Sequence, residues 1–292
     1  LHWEEMTHFN RRQVLASLGS LSGAALLTGC GEVLQPRPAN AADPPAGEPT
    51  HPEGADARTE RDVTPSNEVV SPPTAGWNYV KLDPAEVSAR AYQLYKEGSC
   101  MYAVVGGVIT ALAERVGQPF QSFPLHMMRY GASGVGGWGS LCGVVNGGCA
   151  VIGLLHGDKD PETRDTLMTE YGVWYETSRL PVHQPADDAP GKAPRPSIAG
   201  SLLCHVSVTH WCAASKCGPY SPERKERCRR LSADGAGKIV QLLNAHLEGE
   251  WVEGELTQDV FACADCHGKE KESDAMVKMN CATCHQFKDK HP

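Results

Sequence analysis

The chain has no surplus of positive charge. Its 27 Lys and Arg are outnumbered by 35 Asp and Glu, for a formal net charge of −8. A nucleic-acid-binding face needs a basic stripe, so that class is set aside. Convincing runs of alternating apolar and polar residues are scarce, which argues against a domain built on sheets. The apolar stretch near the N-terminus is too short, and too rich in Gly and Ser, for a comfortable membrane span. The Gly-rich segment from Gly131 to Gly143 lacks the Gly-Lys-Ser/Thr of a phosphate loop. The middle of the chain also lacks the tight Cys-x-x-Cys pairs typical of structural zinc.

Cysteine itself is plentiful: twelve in 292 residues. One stands alone at Cys30, seven are spread from Cys100 to Cys228, and four close the chain in two tight pairs. Each group needs its own explanation.

Residues 1–30 read as an export signal, with the residues ahead of Met6 taken as an upstream extension. Arg11-Arg12 precede a short apolar run, the pattern of the twin-arginine route. Leu27-Thr28-Gly29-Cys30 resembles a lipoprotein cleavage box in which Cys30 becomes lipidated, so membrane contact is expected through a lipid anchor; an ordinary cleaved signal is the alternative. An extracytoplasmic, periplasmic location follows from either. The twin-arginine route exports folded proteins, which suits a metal centre assembled in the cytoplasm, whereas haem c is attached outside. Residues 31–76, dense in Pro, Ala, Glu and Thr, read as a disordered tether.

Residues 77–249 read as a mainly α domain. Asp83-Pro84-Ala85-Glu86 is a strong helix start and Gly98 a stop. Further helices are expected over 100–116, 141–156, 161–178 and 233–247. Gly106-Gly107 and Gly147-Gly148 lie inside helices, where each Gly costs about 1 kcal/mol against Ala. Close helix packing or a close cofactor would compensate. The Gly-rich stretch could wrap a compact object and point N–H groups at it. The basic run Arg224, Lys225, Arg227, Arg229 and Arg230 is read as a solvated helix face.

For the middle cysteines, disulfides and a four-thiolate iron–sulfur site are both open on spacing alone. The segments Cys100-Met101-Tyr102-Ala103-Val104, Gly136-Gly137-Trp138-Gly139-Ser140-Leu141-Cys142-Gly143 and Ala150-Val151-Ile152-Gly153-Leu154, with Cys204 and Cys228, resemble a bacterial redox family named for a C-GCAxxC cysteine pattern. The sequence has Gly153 where that pattern expects a cysteine. Together with Cys204-His205-Val206-Ser207-Val208-Thr209-His210-Trp211-Cys212 and two C-terminal haem motifs, residues 77–292 resemble the split-Soret cytochromes c. That resemblance implies a helical iron–sulfur half, a dihaem half and a homodimer. It also implies cluster ligands among Cys100, Cys142, Cys204 and Cys228, with Cys212 close behind.

Residues 250–292 form the expected small, irregular dihaem segment. Cys263-Ala264-Asp265-Cys266-His267 and Cys281-Ala282-Thr283-Cys284-His285 are two copies of Cys-x-x-Cys-His. Two thiols add to the two vinyl groups of one haem, and the adjacent His, here His267 or His285, becomes the proximal iron ligand. A lone redox dithiol or a zinc site predicts neither the paired His nor the repeat. Only His291 follows the motifs, so at least one distal ligand must come from upstream or from another subunit; the candidates are His205, His246, His210 and His126. With two His per iron the protein transfers electrons to or from a redox partner; with one iron open it could reduce a small molecule. A storage or structural use, with the haems holding charge in a larger assembly, is a third class.

Overall fold

The computed structural model describes residues 77–157, 159–186, 194–250, 256–271, 278–283 and 285. The signal, the tether, Cys30, Cys284 and His291 lie outside the described residues.

The fold begins as a helical hairpin. Element α1 spans Pro84–Val116 but turns back on itself at Ser99, whose φ of 70° and ψ of −163° are not helical. The reversal is sharp, because Arg90 on the first arm pairs with Glu114 on the second at 2.5 Å. Asp83 caps the first arm by accepting from the N–H of Ala85 and Glu86, with Pro84 at the first helical position. Gly107 lies against Ala91 and Val87 of the other arm, where a Cβ would sit 3.0 Å from the Ala91 methyl. Close packing is therefore what this glycine supplies. The second arm is buried nearly all round from Cys100 to Leu112. Its apolarity would suffice by composition for a membrane span, but here it is that of a core helix.

Four further helices enclose that arm or flank it. They are α2 (Gly143–His156), α3 (Pro161–Thr177), α4 (Cys204–Ser215) and α5 (Pro222–Leu247). The hairpin packs chiefly against α5 and α2, and α3 packs on α2. Gly147 meets Val104 and Gly148 meets the Tyr171 ring, so this glycine pair also serves helix contact. A short antiparallel pair, β1 (Arg179–Leu180) with β2 (Ser197–Ile198), closes the connection from α3 to α4. The last helix, α6 (Gln258–His267), and a 3-10 turn at Cys281–Thr283 carry the haem motifs.

Most expected helices stand where the capping signals put them, and the protein is mainly α. Two corrections concern the second half of the domain. Helix α5 starts at Pro222, a full three turns before 233, because Ser221 accepts from the N–H of Arg224 and Pro222 follows the cap. The basic run is thereby built into the core side of a long helix. Arg227 and Arg230 are each only 2 % exposed, Arg229 stacks over the Tyr92 ring at 3.5 Å, and of the five residues only Lys225 is exposed. Helix α4 was unexpected; Leu203 precedes it and provides no side-chain cap.

Candidate metal centre

Four cysteines converge through helix ends. Cys100 opens the second arm of α1, directly after the strained Ser99. Cys142 is the residue before α2, and Cys204 is the first residue of α4. These two are held side by side by an antiparallel bridge between Leu141 and Leu203. The N–H of Cys142 donates to Leu202 O at 2.9 Å, and the N–H of Cys204 donates to Ser140 O at 2.7 Å. Cys228 arrives from α5. Three of the four thiols thus stand at helix N-termini, where the dipole favours negative charge.

Glycine makes the approach possible. A Cβ on Gly134 would lie 2.8 Å from the Cys204 Cβ, and one on Gly143 would lie 2.9 Å from the Cys100 Cβ. The Gly-rich loop spends much of its backbone on itself. The N–H groups of Gly136, Gly137, Trp138, Gly139 and Ser140 all donate to carbonyls between Tyr130 and Val135. The loop is therefore a self-bonded wall around the cysteines, not the open fan of donors that its composition suggests.

The electrostatics of the cluster are uneven: one thiol is pulled toward the thiolate and three are pushed away from it. Cys228 is held well below the usual thiol range, first by the hydrogen bond from Cys100 and then by the cations of Arg227 and Arg224, against the effect of burial. Cys100, as the donor in that pair and buried, is pushed well up. Burial raises Cys142, and it lifts Cys204 to about 12. Arg227 donates through Nη1 to Cys228 Sγ at 3.8 Å and through Nη2 to Ser207 Oγ at 2.8 Å. Its buried Nε has no partner, and among the described residues no carboxylate pairs with it. Burial alone would lower its pKa; Cys228, Tyr175 and Cys142 hold it up. A buried cation is tolerable only beside compensating negative charge. Several thiolates around bound metal would provide that charge, and the orphaned Nε could donate to it, so the residues present fit such a group.

No three of these sulfurs lie within 4.8 Å of one another among the described residues. Cys212 lies two turns along α4 from Cys204, about 12 Å at the helical rise. It interacts electrostatically with both Cys217 and Cys228. Cys149 stands apart on α2, lifted to about 11 by burial. None of the described cysteines is disulfide-bonded.

The haem motifs form a second site. Along α6, Cys263, Cys266 and His267 recur at three and four residues and so share one helix face. Cys266 is exposed on it, while Val260 is buried and anchors the helix. The turn Cys281–Thr283 packs against α6, which brings the two motifs together. This turn is tied to the helical domain. Thr283 Oγ donates to Gly200 O at 2.7 Å, and the buried Glu176 carboxylate accepts from the N–H of Asn280. His285 is exposed.

The candidate distal histidines separate in space. His210 lies beside Gly200, where a Cβ would stand 3.0 Å from its Cε1, and so close to the second motif. His205 lies against Gly139 of the Gly-rich loop. His126 is exposed in a 3-10 turn. His246 instead meets His156, with ring centroids 5.1 Å apart. Sequence reasoning missed His156, Arg227 and Glu176; the only local hint was that Arg227 adjoins Cys228.

Fold and haem motifs together define a c-type cytochrome, a protein of the electron-transfer class. Residues 102–242 match the family model described as "Putative redox-active protein (C_GCAxxG_C_C)". That pattern corrects one expectation: glycine, not cysteine, closes the central motif, and Gly148-Cys149-Ala150-Val151-Ile152-Gly153 fits it. The chain is 30% identical over 287 residues to the split-Soret cytochrome c of Desulfovibrio desulfuricans, covering 95% of each. A solved structure of that protein, described as having a novel iron centre, matches with a TM-score of 0.66 at 30% identity, over 73% of this chain and 91% of the other. The chain belongs to the split-Soret cytochrome c family.

Proposed function

We propose that this chain is an exported dihaem cytochrome that passes electrons between an iron–sulfur cluster and two haems c. Cys263 and Cys266 would attach one haem and Cys281 and Cys284 the other, with His267 and His285 as proximal ligands. Cys100, Cys142, Cys204 and Cys228 would hold the cluster. The relative's iron centre supports a metal in this fold, and the buried Arg227, which makes no carboxylate salt bridge among the described residues, supports an anionic one beside it.

One observation carries the electron-transfer reading. The second haem motif is hydrogen-bonded to Gly200, and only four residues later the chain reaches Cys204. The two backbone positions can be no more than about 14 Å apart. Haem and cluster would give one-electron centres at the two ends of that short segment, and the residues between them are the path. His210, beside the same glycine, supports a second axial ligand and hence a closed iron.

The Arg11-Arg12 signal supports export by the twin-arginine route to the periplasm, and Cys30 supports a lipid anchor. A homodimer is proposed from the same likeness, with distal ligands able to cross between chains. The redox partner would be a protein docking on the exposed face of α6, where Phe261 is 52 % exposed.

The test is iron and acid-labile sulfide per chain on natively matured protein, read beside the visible spectrum. Two haem irons plus further iron matched by sulfide, with low-spin haems, is the expected result. Haem iron alone without sulfide, from protein matured with cluster assembly intact, would overturn the cluster. High-spin haem that binds carbon monoxide without denaturation would overturn the closed-iron reading.

A further inference from the structure

The geometry points to a second, sulfur-free metal site: His156, Asp160 and His246 bind a divalent transition ion of the zinc class. Three chain segments meet there. His156 is the last residue of α2, Asp160 caps the start of α3, and His246 lies in the last turn of α5. One ligand atom from each falls within 4.8 Å of the other two, and among the described residues no other three His, Cys or carboxylate groups come so close. A single ion at about 2.0–2.2 Å from each donor fits that spacing with only small side-chain adjustment.

The donor set selects the ion. Two imidazoles and one carboxylate suit zinc, cobalt or ferrous iron, whereas calcium and magnesium want oxygen alone. All three residues are half-buried. Asp160 is already fixed in place, since one carboxylate oxygen accepts the N–H of Thr163 at 3.1 Å; the second oxygen can face an ion while the helix cap persists. A cavity of about 280 Å³ opens on both histidines and is also lined by Tyr79 and Lys159. Water or a small anion can reach a fourth coordination position from that side.

The ion would pin the end of α5, from which the chain runs on to the haem segment, to the α2–α3 corner. His246 would then be committed here and not to a haem. Nothing in this site depends on the cysteine cluster, so acid-labile sulfide does not bear on it.

The test uses the matured holoprotein equilibrated with zinc chloride. Zinc per chain is measured after dialysis, and its ligand shell by X-ray absorption at the zinc edge. One zinc per chain with nitrogen and oxygen neighbours only is expected. His156→Gln and Asp160→Asn should each weaken binding at least about 100-fold; the second keeps the helix cap and so guards against simple misfolding. The haem spectrum should stay unchanged in His246→Gln. Sulfur in the zinc shell, zinc affinity unchanged in both variants, or loss of a low-spin haem in His246→Gln would each overturn the proposal.

Discussion

Arg227 points its guanidinium at the sulfur of Cys228, its neighbour in sequence, at 3.8 Å inside the core. Both residues are buried, and Cys228 is the member of the cluster held as thiolate. The pair is an ion pair in a place where neither charge can reach water. Removing one partner strands the other, at a cost of about 3–5 kcal/mol. Cys228→Ser in cluster-free protein should cost this much in urea unfolding. The double variant Cys228→Ser/Arg227→Met should recover most of it, because the buried cation goes with its partner. Strictly additive losses would show that the two groups do not interact.

The Gly-rich wall offers a sharper contrast, between two glycines that both sit at positive φ. At Gly134 (φ 70°) a Cβ would meet the Gly139 carbonyl carbon at 2.7 Å and Cys204 at 2.8 Å; at Gly136 (φ 59°) nothing lies within 4 Å. Gly136→Ala should therefore cost only the left-handed backbone strain, about 1 kcal/mol, and leave the metal content intact. Gly134→Ala adds a clash with backbone that cannot yield. It should cost about 3 kcal/mol or more and reduce the iron bound per chain. Thermal unfolding and iron analysis of the two variants would separate strain from collision.

Much of this architecture was legible because its signals are local. Asp83-Pro84, Gly98, Gly117 and Gly157 mark helix ends by backbone chemistry, and the haem motifs carry their chemistry within five residues. The four inner cysteines were read through resemblance, since their spacing alone fits disulfides equally well. What stayed hidden depends on tertiary contact. The cap at Ser221-Pro222 is as good as that at Asp83-Pro84, yet five basic residues behind it read as a solvated face until Arg227 and Arg230 prove to be buried. Helix α4 has β-branched residues and no capping side chain, so it forms because Trp211 is buried and Leu203 is bridged to Leu141. His156 and His246 are remote in sequence, and no local pattern announces their meeting.

Asp234 gives the protein a pH dependence of known sign. Its carboxylate accepts the N–H of Val182 at 2.9 Å, but burial outweighs that bond and lifts its pKa from 3.8 to about 6. The folded state therefore holds this proton more tightly than the unfolded chain. The contribution is fully present below about pH 4 and is lost as pH rises through about 6, for a total of about 3 kcal/mol. Asp234→Asn keeps an acceptor for Val182 and removes the titration. Urea unfolding between pH 4 and 7 should show the downward slope in the parent protein and a flatter line in the variant.

Gly200 links a histidine to a haem motif. Its carbonyl accepts the hydroxyl of Thr283, which lies between Cys281 and Cys284, and its Cα faces His210 across the space a Cβ would fill. A side chain here would push the imidazole away from the motif, so the absence of one fits the need for His210 to stand close. His246 meets His156 and His210 stands beside the second motif, so His210, exposed like His126 and His205, is the candidate we propose for the second haem iron on position alone. His210→Ala should therefore convert one haem of the two, and only one, to a high-spin form that binds carbon monoxide when reduced. His126→Ala should leave both low-spin. The visible spectrum of each ferrous variant, with and without carbon monoxide, decides the matter: two unchanged haems in His210→Ala would assign the ligand to another histidine, and two altered haems would mean that losing His210 opens the whole dihaem face.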